Sequence, residues 1–281
     1  MTKSYERPYV QSDAGALSGA LVLTPTAAVD RLPPLQAEPW PIGSRAIEQH
    51  AILVRTLRDR GVDVNVIPAV LNTPTEPLIG DCVVMLAGGA VIARPSAVER
   101  RHETAEVERA LGDLGIPVIG RIEAPGLLDG DDVAVAGDRV FVGVPQAGAG
   151  LRARSNEFGR RLLAAIVEAQ GGNVLELAVA PSVARLRNVF SLIGADTILA
   201  APERVDLVPV RDMKIVEVPR GEEHAAGVLA FGERRVIANL RFRESIKLLR
   251  KAKIEVEAID MWEFGKAGVG PFALVVAIKR G

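Results

Sequence analysis

Residues 126–145 read GLLDGDDVAVAGDRVFVGVP, and this stretch decides the fold. Three aspartates, Asp129, Asp131 and Asp132, precede an apolar run, a Gly137-Asp138 corner and a second apolar run. Apolar runs on either side of a Gly-Asp pair read as a β-hairpin. The acidic turn at its mouth supplies carboxylates suited to a cation or a guanidinium group. Downstream, NEFGRRLLAAIVEAQGG (156–172) reads as a helix closed by Gly171-Gly172, and NVLELAV (173–179) as a further strand. The unit is hairpin, helix, strand.

The same unit recurs in both directions. Upstream, DCVVMLAGGAVIARP (81–95) forms a hairpin around Gly88-Gly89. AVERRHETAEVERALGDLG (97–115) places Val98, Ala105, Val107 and Leu111 at helical spacing, and IPVIGRI follows as a strand. Downstream, NVFSLIGADTILAAP and MKIVEVP make a shorter copy, with its corner at Gly194-Ala195-Asp196. AAGVLAFGERRVIANL, RESIKLLRKAK and IEVEAID make another, its helix carrying a solvated amphipathic face. A fifth copy needs both ends of the chain: GPFALVVAI (270–278) pairs with GALVLTP (19–25), then GSRAIEQHAILVRTLRDRG and VDVNVIP. Units repeating at roughly 40–60 residues, one of them split across the termini, imply a closed ring instead of an open solenoid. Joining the two ends in one unit also removes an exposed edge. The expected fold is one α/β domain over residues 1–281, a five-unit α/β-propeller with pseudo-fivefold symmetry. LPPLQAEPWPIG (32–43) reads as a Pro-rich surface loop.

Composition narrows the function classes. With 34 basic and 35 acidic residues and only 4% aromatics, the chain has no basic stripe with interleaved rings, so nucleic acid is not an expected partner. The single cysteine, Cys82, excludes an internal disulfide, and three scattered histidines (His50, His102, His224) argue against zinc. No metal and no cofactor is expected. The first residues lack an apolar signal core and no run reaches membrane-spanning length, which points to a reducing cytoplasm.

These segments, in this order, resemble the pentein, or guanidino-modifying, superfamily of arginine deiminases, amidinotransferases and dimethylarginine dimethylaminohydrolases, and most closely the last of these. GDCVVMLAGGAVIARPSAVERRHE looks like that family's first-unit segment, and LLDGDDVAVAGDRVFVGV is similar to its LDGGDVL turn and FVG strand. RSNEFG resembles its RTNxxG, and IVEVPRGEEHAAGVL its VVEVPxGExHAANVL. The resemblance implies hydrolysis of a guanidinium through a cysteine adduct. The thiolate attacks the guanidinium carbon, a histidine moves protons and carboxylates hold the cation. Asp129 and Asp132 match the acidic turn, and Asp81 the acidic residue before the first hairpin. Arg100 and Arg154 match the arginines that grip the substrate carboxylate, Arg154 after an inserted AGAGLRA. The two reactive positions differ. RLRN puts Arg185 where the family has histidine in HLKS, and GPFALVVAI puts Ala273 where it has cysteine in GLTCLSVLL.

From the residues alone, the three aspartates read as a solvated, capped turn and Arg100 as part of a charged helix face. The resemblance instead turns Asp129 and Asp132 inward, leaves Asp131 to solvent and sets Arg185 beside Asp129. There an ion pair would fill the guanidinium site with the protein's own guanidinium. Cys82 reads as a small core residue and His224 as a loop or core histidine; His50 and His102 fall on outer helices. Three readings stay open. The first is a non-catalytic homologue that binds a small zwitterionic or anionic ligand, self-associates as a homodimer, or pairs with an active paralogue. The second is an enzyme with non-thiol chemistry in the same cavity. The third is a hydrolase of dimethylarginine, arginine or a related guanidine.

Overall fold

The computed structural model describes residues 5–35, 38–146 and 154–281; the inserted AGAGLRA and part of the Pro-rich loop lie outside them. Near the N-terminus come β1 (Leu17–Leu23), α1 (Gly43–Asp59) and β2 (Asp63–Ile67). Then follow β3 (Val83–Leu86), β4 (Gly89–Ile92), α2 (Arg101–Asp113) and β5 (Val118–Arg121). The acidic stretch leads into β6 (Val133–Ala136), β7 (Arg139–Pro145), α3 (Glu157–Glu168) and β8 (Asn173–Val179). The fourth group is β9 (Phe190–Gly194), β10 (Thr197–Ala200) and β11 (Lys214–Glu217), with a 3-10 turn at Val208–Val210 where the others carry an α-helix. The fifth is β12 (Leu229–Gly232), β13 (Arg235–Asn239), α4 (Arg243–Lys251) and β14 (Glu255–Ile259), before β15 (Val276–Arg280).

These strands form five separate three-stranded sheets, ordered β15-β1-β2, β3-β4-β5, β6-β7-β8, β9-β10-β11 and β12-β13-β14. In each, the middle strand is antiparallel to the first, through a hairpin or the paired chain ends, and parallel to the third. The expected repeat is therefore present, including the unit built from both ends of the chain, where Leu21 sits opposite Val276 and Asn65.

Burial explains the sequence pattern. Strands β3, β9 and β12 are buried along their whole length, as continuous apolar runs require, whereas β11 lies near the surface. The first strands also meet one another: β15 touches β3, β6 touches β9 and β9 touches β12. Gly137 takes φ +68° at the β6–β7 corner, a conformation that glycine adopts without a Cβ penalty. On α2, Val107, Ala110 and Leu111 face inward, but Val98 and Ala105 are exposed. The helix begins only at Arg101, and the preceding 3-10 turn shifts the phase of the apolar stripe. The last strand likewise starts at Val276, because Pro271–Leu274 forms a 3-10 turn. Among the described residues no helix is long and apolar enough to cross a membrane.

Candidate functional site

A 3-10 turn stands directly before the first strand of every sheet: Ile79–Cys82, Gly130–Asp132, Leu186–Asn188, Glu223–Ala226 and Pro271–Leu274. The first turn touches the second and the last, the second touches the third, and the third touches the fourth. Glycine permits the closest of these approaches. A Cβ on Gly130 would collide with the carbonyl oxygens of Gly80 and Val83. The loops between units thereby bring residues far apart in sequence into one cluster.

At its centre is Asp81, fully buried. Arg185, the residue just before the third turn, donates Nε to Asp81 Oδ1 at 2.6 Å and Nη2 to Oδ2. The carboxylate is thus held by both prongs of one guanidinium. Arg100 donates Nη1 to the same Oδ2, Nε to Glu103 Oε2 at 2.9 Å and Nη2 to the Leu78 carbonyl at 3.1 Å. Glu103 is buried too, and its Oε1 accepts from Thr73 and Thr75 at 3.1 and 2.5 Å. Two guanidiniums and two carboxylates thus balance formally in the interior. Burial alone would push the Asp81 carboxyl up, but Arg185 and Arg100 outweigh it and hold the group well below the usual carboxylate range.

The acidic turn forms a second layer. Asp129 Oδ2 pairs with half-buried Arg154 at 3.1 Å, while its Oδ1 has no hydrogen-bond partner among the described residues. Burial and the nearby Asp81 charge raise its pKa. Asp132 accepts from Ser155 Oγ at 2.5 Å and from the Leu186 N–H at 3.0 Å. Burial, with Asp129 adding to it, lifts its pKa to about 7. Asp131 is buried, its Oδ2 without a partner among the described residues, and burial drives its pKa well up.

Several expectations are met differently. The aspartates do not form a solvated turn, and Asp131 does not face solvent: the packing of the first two turns encloses all three side chains. Arg100 is not part of an exposed helix face, because its 3-10 position turns it inward to Asp81. Arg185 pairs with Asp81 and not with Asp129, whose partner is Arg154. His50 lies on α1 but is buried, with its pKa pushed down to about 4 by that burial, whereas His102 is exposed. Ala273 sits on the last turn, buried in the same apolar cluster as Leu78, Phe272 and Val275. Cys82 is fully buried, and its thiol is pushed well up by that burial.

Glu103, Ser155 and Asn156 were not singled out in the sequence. Glu103 had a signal, three residues after Arg100 at helix-neighbour spacing. Ser155 and Asn156 belong to the RSNEFG segment. Ser155 Oγ also accepts from the Asp129 N–H at 3.3 Å. Asn156 Oδ1 caps α3 through the Gly159 N–H and accepts from the Leu127 N–H, both at 2.9 Å. The segment therefore fixes the acidic turn against the start of a helix. Among the described residues no group of three or more His, Cys, Asp or Glu side chains is placed to hold a metal ion.

No family model matches the chain. Individual relatives do. A dimethylarginine dimethylaminohydrolase of Pseudomonas aeruginosa is 31% identical over 221 residues, covering 77% of this chain and 83% of the relative. The corresponding protein of Streptomyces coelicolor is 31% identical over 221 residues, covering 79% and 81%. The solved structure of a cysteine-to-serine mutant of the Pseudomonas aeruginosa enzyme, complexed with citrulline, superposes with a TM-score of 0.84 at 26% identity, covering 93% of this chain and 99% of that one. With its repeated sheets and its clustered turns, the chain belongs to the dimethylarginine dimethylaminohydrolase family, within the pentein superfamily.

Proposed function

We propose that this chain is a non-hydrolytic member of that family, whose guanidinium site is filled from within by Arg185. In this reading the five sheets are the blades of one closed, pseudo-fivefold domain, and the contacting turns form its hub. The observation that carries the reading is the buried, bidentate Arg185–Asp81 pair, formed by the two residues that the resemblance aligns with the family's histidine and one of its carboxylates. A carboxylate already gripped by two arginines has no free edge for a third guanidinium. Breaking a buried pair costs about 3–5 kcal/mol. Ligand binding would have to supply that and also tolerate the displaced Arg185 charge.

The reacting groups support the same conclusion. The hydrolysis that the resemblance implies uses a thiolate at the cation's carbon and a proton carrier for the departing amine. Ala273 has neither a lone pair nor a proton to offer, and an arginine stays protonated near neutrality and cannot act as a base. The one thiol in the chain, Cys82, is enclosed in another apolar cluster and is held protonated by burial. The remaining role is that of a small-molecule binder or a partner subunit, as a homodimer or beside an active paralogue. A lone buried thiol suits a reducing compartment such as the cytoplasm.

A direct assay tests this. Purified protein incubated with dimethylarginine, arginine or agmatine should release no ureido product. Turnover abolished by Cys82→Ser would overturn the reading. A second reading, hydrolysis without a thiol, draws on the Asp132–Ser155 contact and an Asp132 pKa of about 7. It requires turnover that survives Cys82→Ser and disappears in Ser155→Ala.

A further inference from the structure

A cavity of about 390 Å³ opens beside the fourth and fifth sheets, and none of Asp81, Asp129, Arg100, Arg154 or Arg185 lines it. That volume suits a small metabolite. Its apolar wall comes from three segments: Val189 just before β9, Phe242 just after β13 and Trp262 just after β14. The rings of Phe242 and Trp262 meet edge to face, with centroids 6.5 Å apart and planes at 78°. The Arg241 guanidinium lies 5.3 Å from the Trp262 ring centroid. Both contacts fix the orientation of the indole.

The polar groups of the cavity are left incompletely matched. Arg204 donates to Ser182 Oγ at 3.0 Å and forms only a long ion pair with Glu223, at 3.7 Å, beyond hydrogen-bond length. His224 keeps Nδ1 buried with no hydrogen-bond partner among the described residues. One cation, Arg204, and two carboxylates, Glu38 and Glu223, therefore stand beside an apolar, aromatic wall.

We propose that this cavity binds an α-amino acid with an apolar side chain. Its carboxylate would lie on Arg204, its ammonium on Glu223, and its side chain against Val189, Phe242 and Trp262. Both charges of such a ligand are answered, while a ligand carrying only one would part the Arg204–Glu223 ion pair without replacing one of its members. The inference does not depend on whether the Asp81 cluster is catalytically silent, and the ureido-product assay does not bear on it.

The test is a titration of ¹⁵N-labelled protein followed at the tryptophan indole N–H signals. The chain has two tryptophans, and Trp262→Phe identifies the one that matters. L-phenylalanine and L-leucine should shift the Trp262 signal saturably. Phenethylamine and 3-phenylpropionate, each lacking one charge, should bind at least about tenfold more weakly, in line with the loss of one charged hydrogen bond. Arg204→Gln and Glu223→Gln should each weaken phenylalanine binding by a similar factor, in protein whose melting temperature is unchanged. A Trp262 signal unmoved by either amino acid, single-charge analogues that bind equally well, or binding indifferent to both substitutions would overturn the proposal.

Discussion

On the proposed reading, Asp81 and Arg185 form a site in which an arginine stands in place of a histidine. A histidine at 185 would be a small, titratable group; the arginine is longer, permanently charged and forked, and it closes onto the nearest buried carboxylate. Replacing it by alanine should destabilise the protein by about 3 kcal/mol, the lower end of the range for a broken buried pair, because Arg100 still neutralises Asp81. Urea unfolding of Arg185→Ala measures this; a loss under 1 kcal/mol would mean that the pair contributes little. Asp132 gives a pH prediction of defined sign. Its folded pKa, about 7, lies above its unfolded value of about 3.9, so between these pH values the folded state holds the extra proton. Stability from this group is therefore fully present below pH ~4 and falls as pH rises towards 7, by at most about 1.4 kcal/mol per pH unit. Asp132→Asn should flatten that part of the stability–pH curve. Asp81, whose pKa is lowered, acts with the opposite sign and loses its contribution only in acid.

The turns and caps decide where these side chains point, and here the sequence was only partly readable. Hairpins and third strands followed from apolar runs and glycine corners, since a buried strand must be apolar and a tight corner needs a permissive residue. The phase of α2 did not follow. A 3-10 turn and an α-helix share apolar spacing over one turn, so Val98 could be counted into a stripe that starts three residues later. The positions of the candidate site were legible from motif order, but their pairings were not. Which carboxylate Arg185 reaches depends on how turns from different sheets pack, and no local pattern encodes that. Two substitutions test this layer. Asn156→Ala should cost about 1–2 kcal/mol for the lost α3 cap, measured by chemical denaturation, with more if the Leu127 N–H is left unsatisfied. Gly130→Ala should cost about 1–3 kcal/mol, because its Cβ meets backbone carbonyls that cannot swing aside. A melting temperature unchanged in Gly130→Ala would contradict the close packing of the first two turns.

The chain as a whole is arranged so that every sheet delivers one turn to a shared cluster, and the first and last strands pair to complete one sheet. That clasp is reinforced by Arg280, buried in β15, which donates to the carbonyls of Asp13 and Ala230. Removing residues 271–281 should therefore leave β1 unpaired on one side and abolish cooperative unfolding, as followed by calorimetry. The charge at the centre of the cluster is balanced internally, which is the condition for keeping ions in a dry interior without a ligand. The measurement that tests this most directly compares ureido-product formation from dimethylarginine by three proteins: the natural chain, Ala273→Cys alone, and Ala273→Cys combined with Arg185→His. If Arg185 blocks the guanidinium site, the first two are inactive and only the double variant turns over. Turnover by the natural chain, or Ala273→Cys alone matching the double variant, would contradict the account.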